Sequence, residues 1–154
     1  MIEINEQFDV PSAKPRVVWD LLSDPHAVVG CVPGAALGEE HDDGTFDGSL
    51  AVKFGPARVT FKARIELVLN EAEMHGSVTA RGKDNQGGTR FTAKMKFKVD
   101  EESPGSVVAI DAEVEISGKL AGVVETGARF VVKKITAEFS ERLAARCAIN
   151  IPSP

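Results

Sequence analysis

Three histidines, two cysteines and a scatter of carboxylates are the residues with chemistry to offer, and their spacing gives them little to do together. His26, His41 and His75 belong to no His-Glu-x-x-His pattern, and no Gly-x-Ser-x-Gly or Cys–His pairing is present. His41-Asp42-Asp43-Gly44 has the composition of a hairpin loop. A metal site would need further ligands at convergent spacing, and none follows. Cys31 and Cys147 stand far apart with no Cys-x-x-Cys partner, which fits reduced thiols of a cytoplasmic protein better than a disulfide or a metal pair. The glycine-rich stretch Gly82 to Gly88 joins two strands and enters no helix, so it lacks the amide-bearing terminus that holds phosphate. Tyrosine is absent. The expectation is a chain with no catalytic residue, no metal and no cofactor of its own.

The elements that would position any site are easier to read. Ile2, Ile4, Phe8 and Val10 alternate with polar residues as a first strand, stopped by Pro11-Ser12. Ser12 is a suitable N-cap for a helix through Val17, Val18, Leu21 and Leu22, and Asp24-Pro25 starts a second short helix. Period-two strands follow: Phe46 to Phe54, Val59 to Leu69, Gly76 to Gly82, Phe91 to Val99 and Val108 to Ile116. Short turns between them require an antiparallel meander with one wet face. Around Ser103-Pro104-Gly105, Lys96 falls opposite Asp111 and Lys94 opposite Glu113, a pairing that fixes register. From Gly118 to Ala148 a single long helix carries Leu120, Val124, Gly127, Val131, Ile135, Phe139 and Leu143 on one stripe. At 1.5 Å per residue it would run roughly 45 Å, the width of a small domain.

The resulting fold class is α+β: a curved antiparallel sheet wrapped around a long C-terminal helix, with two short helices after the first strand, the helix-grip arrangement. The 154 residues suffice for one domain, expected over 1–148, with a flexible tail at 149–154. A net charge of −5 argues against nucleic acid, and no apolar run reaches membrane-spanning length. The inner sheet face carries many small residues, Gly48, Ala63, Gly76, Ala80, Gly82, Ala93 and Ala112, opposite a helix with Gly122 and Gly127. Interiors fill to crystal-like density, so missing side chains demand tight curling or leave a cavity. The expected lining is Phe61, Ile65, Phe91, Met95, Phe97 and Ile110 from the sheet, with Leu120, Val124, Gly127 and Val131 from the helix. Such a surface offers area and few directional contacts, which suits an apolar ligand. Trp19 is expected to pack the small helix against the sheet. Residues Pro25 to Gly34, with two prolines and Gly30, form either a lid against Lys119 to Val123 or a rigid corner capping the pocket.

The order of elements resembles the START/polyketide-cyclase-like (SRPBCC) superfamily. Within it, Val18-Trp19, Leu22, Asp24-Pro25, Val32-Pro33-Gly34, Val52-Lys53-Phe54-Gly55-Pro56 and Gly118-Lys119-Leu120-Ala121, followed by Gly127 and Arg129, are similar to the carbon monoxide dehydrogenase G-subunit family. The resemblance implies a noncatalytic accessory protein, often encoded beside molybdenum hydroxylases, with a lipid or quinone-like ligand and such an enzyme as partners. Some members carry a C-terminal extension proposed to reach the membrane. Here the chain ends at Pro154, and at most peripheral membrane contact is expected. Two other readings compete. One is a cyclase or hydrolase using Asp111, Glu113 or Glu115, although alternation turns all three outward. The other is an assembly protein acting through the ridge from Asp24-Pro25 to Pro33-Gly34.

Overall fold

The computed structural model describes the side chains of residues 1–148 and the helical backbone of 149 and 150. The tail expected at 149–154 otherwise lies outside the described residues. Strand β1 spans Ile2–Val10, helix α1 Pro15–Leu22 and helix α2 Pro25–Cys31. Six strands follow: β2 (Ala35–Glu40), β3 (Phe46–Phe54), β4 (Ala57–Asn70), β5 (His75–Asp84), β6 (Thr89–Glu102) and β7 (Gly105–Gly118). Helix α3 closes the order at Ala121–Asn150. One antiparallel sheet contains all seven strands in the order β1-β7-β6-β5-β4-β3-β2, so β1 pairs with the last strand and the rest form a meander.

The register is the one the charges require. Lys94 pairs with Glu113 and Lys96 with Asp111 across β6 and β7. Gly118, at φ +109°, ends β7 in a backbone region that favours glycine, and three residues later α3 begins. Two expectations need correction. Strand β2 goes beyond the expected set, because its apolar alternation amounts to Ala35 and Leu37 before Glu39 and Glu40. Helix α1 starts after Lys14, with Pro15 in its first turn and no side-chain cap, so Ser12 does not cap it. Helix α2 is capped as its sequence suggests, the Asp24 carboxylate accepting from the His26 N–H at 3.0 Å.

Two separate apolar cores hold the layers together. The larger joins β1, α1 and α2 to β6, β7 and the C-terminal half of α3, with Val10, Val18, Trp19, Cys31, Val108, Leu143 and Cys147 almost wholly buried. The smaller gathers Val52, Phe54 and Val59 around Val124 at the N-terminal half of α3. Helix α3 contacts β1, β3 and β7, strands at or near the two edges of the sheet, and so bridges its concave face. That split positions the site.

Candidate functional site

Between the two cores, strands β4, β5 and β6 turn apolar side chains toward α3. Ile65 pairs with Ala80, Ala80 with Ala93 and Ala93 with Val114, making one inward row across four strands. Leu67, Val78, Met95 and Ala112 make the next, and Ala63, Gly82, Phe91 and Ile116 the one before. Ile65, Phe91, Met95, Ala63, Ala80 and Ala93 are half-buried, although alternation turns them inward, and none belongs to either core. Apolar surface on the concave face therefore stays accessible where the helix bridges it.

The small residues divide by role. Three inner-face glycines serve packing. The Ile65 Cδ1 lies 2.6 Å from where a Gly48 Cβ would stand, the Phe97 ring fills the same position at Gly76, and the Lys62 carbonyl lies against Gly82. Gly127 is also filled, with the Phe54 Cδ1 2.9 Å from its missing Cβ, so helix and strand meet there closely. The alanines Ala63, Ala80 and Ala93 are what keep the middle of the face low.

The ten residues expected as lining fall into three groups. Phe61 and Phe91 meet edge to face, with ring centroids 5.4 Å apart, and Ile65 and Met95 share the open rows beside them. Leu120, Val124 and Val131 pack with Phe61 around the smaller core, and Gly127 abuts it through Phe54. Phe97 and Ile110 belong with the larger core, where Phe97 is buried and stacked on Trp19 at 5.8 Å. Trp19 is fully buried as expected of a packing residue, but its indole N–H has no partner among the described residues.

Polar groups are few, and the informative ones lie outside the expected set. Glu6 pairs with Ile110 in β1 and shares the inward parity of Ile4 and Phe8, yet it is a half-buried carboxylate. Asp84 extends the inward parity of β5 past Gly82 and is 5% exposed. Its carboxylate accepts from the Thr89 N–H at 3.2 Å, and the buried Thr89 hydroxyl oxygen accepts from the Leu120 N–H at 2.8 Å. This relay ties the β5–β6 hairpin to the start of α3. Continued alternation at positions 6 and 84 was the sequence signal for both. Asp111, Glu113 and Glu115 are exposed on the outer face. A ring nitrogen of His41 meets the Asp47 carboxylate at 2.9 Å in the β2–β3 hairpin, a contact that braces the turn. Among the described residues no cluster of three metal-ligating side chains occurs.

The segment Pro25 to Gly34 lies elsewhere than expected. Ala27 and Cys31 are buried in the larger core with Leu143 and Cys147, and the Arg146 guanidinium stands 3.3 Å from where a Gly30 Cβ would be. Helix α2 thus packs on the C-terminal end of α3, away from Lys119 to Val123, and it is a core element.

A curved antiparallel sheet bridged by a long C-terminal helix, with apolar surface left open between them, defines a START-like helix-grip domain. The chain belongs to the carbon monoxide dehydrogenase G-subunit (CoxG) family, which matches residues 7–148. Solved structures with the same fold include a conserved protein from Geobacillus kaustophilus, 17% identical with TM-score 0.81 over 96% of both chains. A START superfamily protein from Mycobacterium smegmatis matches at 12% identity and TM-score 0.61, over 93% of this chain and 97% of that one. The Zhui aromatase/cyclase from Streptomyces sp. R1128 matches at 12% and 0.61, over 99% and 95%. No curated protein matches the sequence. No helix among the described residues is long and apolar enough to cross a membrane.

Proposed function

We propose that this protein is a noncatalytic accessory protein that holds an apolar small molecule, lipid or quinone-like, between the sheet and α3. The family and the fold support a ligand-binding accessory role. The observation that carries the ligand reading is the inward, half-buried surface of Ile65, Phe91, Met95 and the three alanines, which neither core covers. Covering it with an apolar molecule is favourable by about 25 cal/mol per Å². Phe61, Leu120, Val124, Gly127 and Val131 would flank the ligand on the side of the smaller core, and Phe97 and Ile110 on the side of the larger. The Glu6 carboxylate would accept from a hydroxyl on the ligand's head, a group that a reduced quinone supplies.

The client we propose is a molybdenum hydroxylase, in the cytoplasm, where Cys31 and Cys147 stay free thiols. The noncatalytic reading is supported by the positions of Asp84, engaged by Thr89, and of Asp111, Glu113 and Glu115, which face water. Glu6 is left as a lone inward carboxylate with no acid or base beside it, among the described residues, to share a reaction. Solvent extraction of the purified protein followed by mass spectrometry tests the ligand. A lipid or quinone recovered near one per chain is the expected result. Recovery of none, together with no affinity for quinones or fatty acids, would overturn the reading.

A further inference from the structure

On its outer face the sheet does something that costs it stability. Lys62 stands directly opposite Lys83, Lys83 opposite Arg90, and in the next row Arg64 opposite Arg81. Like charges directly across a ladder are destabilising. Elsewhere on the same face Lys94 faces Glu113 and Lys96 faces Asp111, and the two further like-charge pairs, Lys53 with Arg58 and Glu3 with Glu113, do not extend into a row of three. Lys62, Lys83, Arg81 and Arg90 have no ion-pair partner among the described residues, and only Arg64 is neutralised, by Asp47 at 3.3 Å. These five cations line an open depression of about 720 Å³ together with Asp47, Gly48, Ser49, Ala63 and Gly82. In a chain of net charge −5, this is a local reversal of sign.

We infer that this groove is a docking site for an acidic segment of a partner protein. The inference deepens the accessory reading, on which it rests for the existence of a client. Charge complementarity names the occupant's sign, and shape names its kind. An open depression between side chains admits a chain segment, whereas a bilayer presents a broad flat surface. A phosphate compound is disfavoured because the backbone N–H groups of the floor are committed to the sheet ladders, so no amide cradle faces outward. Neighbouring strands lie about 4.8 Å apart, so the row Lys62–Lys83–Arg90 presents three cations across roughly 10 Å, within the reach of successive acidic side chains on one extended segment. Exposed cations of this kind set association rate and specificity more than affinity.

The test uses the whole protein and a fluorescent glutamate-rich peptide as probe, with phosphatidylglycerol vesicles and inorganic triphosphate in parallel. A Lys62→Glu, Lys83→Glu, Arg90→Glu variant is compared with Arg129→Glu, Lys133→Glu, Lys134→Glu, which makes the same change of charge on α3. The groove variant should lose at least tenfold in peptide binding, and the α3 variant should stay within about twofold. Wild-type binding should weaken steeply with salt. A single Lys83→Glu variant reads the stability held back by the row, since it places one carboxylate between Lys62 and Arg90. Its melting temperature should rise by about 2–4 °C at unchanged packing. Absent peptide binding, equal loss in both triple variants, or binding of vesicles or triphosphate in place of the peptide would overturn the proposal. So would a lowered melting temperature for Lys83→Glu, because the row would then be supporting the fold. No client and no apolar ligand enter these measurements, so their failure leaves the cavity reading standing.

Discussion

At the scale of single residues, Gly127 and Ala80 are small residues that do different work, and the two cysteines share one environment. Gly127 reads in sequence as close approach or as room for a ligand, and the Phe54 ring against it shows close approach. Gly127→Leu should therefore overpack the helix–strand contact and cost about 1–3 kcal/mol, read as a lower denaturant midpoint. Ala80→Phe, on the open row, should be nearly neutral for stability while abolishing ligand binding. Buried thiols make a second case. Burial raises the Cys31 thiol against the pull of the Arg146 and Arg142 guanidiniums, and it raises Cys147, with Cys31 adding to the effect. Above about pH 8.5 the unfolded chain gives up these protons while the folded one keeps them, so stability is level below that pH and declines above it. Cys31→Ala with Cys147→Ala should flatten the alkaline decline seen in denaturant titrations. An unchanged slope would show that the thiols contribute nothing to it.

At the scale of elements, α3 is one helix serving two cores of unequal size. Its C-terminal half is fixed by Phe139, Leu143 and Cys147 in the larger core, while Val124 leads a much smaller cluster at the other end. Local stability follows the amount of buried apolar contact. Amides from Val124 to Val131 should exchange faster than those from Phe139 to Cys147, and an added ligand should slow the first group alone. Equal protection along the helix would contradict the division. The long strands, the helix stripe and the β6–β7 register were legible because alternation, the 3.6-residue period and paired charges are local patterns. Strand β2 was not, since its pairing to β3 is set by the hairpin at His41 to Gly44 and its own residues are short of apolar signal. The site was legible only as a face. Which inward residues are covered depends on where α3 crosses, and that is decided by contacts such as Phe54 on Gly127 and Phe8 on Phe139, far apart in sequence. Glu6 and Asp84 escaped because each interrupts or ends an apolar run, where alternation gives its weakest signal.

At the scale of the whole molecule, the two proposed roles fall on the two faces of the sheet. Its concave side is apolar and incompletely covered, and its outer side carries a basic groove beside an acidic band on β7. The proposed roles need both, a place for cargo and a surface for a client, and they meet at the strands' shared positions Ala63 and Gly82. The claim that most needs a direct measurement is that the cargo lies between the cores. Photo-crosslinking with a diazirine-bearing quinone or fatty acid, followed by peptide mapping, reads the location residue by residue. Label concentrated on Ile65 in β4, on Phe91 and Met95 in β6, and on the facing Val131 of α3 is the predicted result. Label confined to the exposed Val68, Leu69 or Phe130, or unchanged by Ala80→Phe, would place the molecule on the surface and contradict the account.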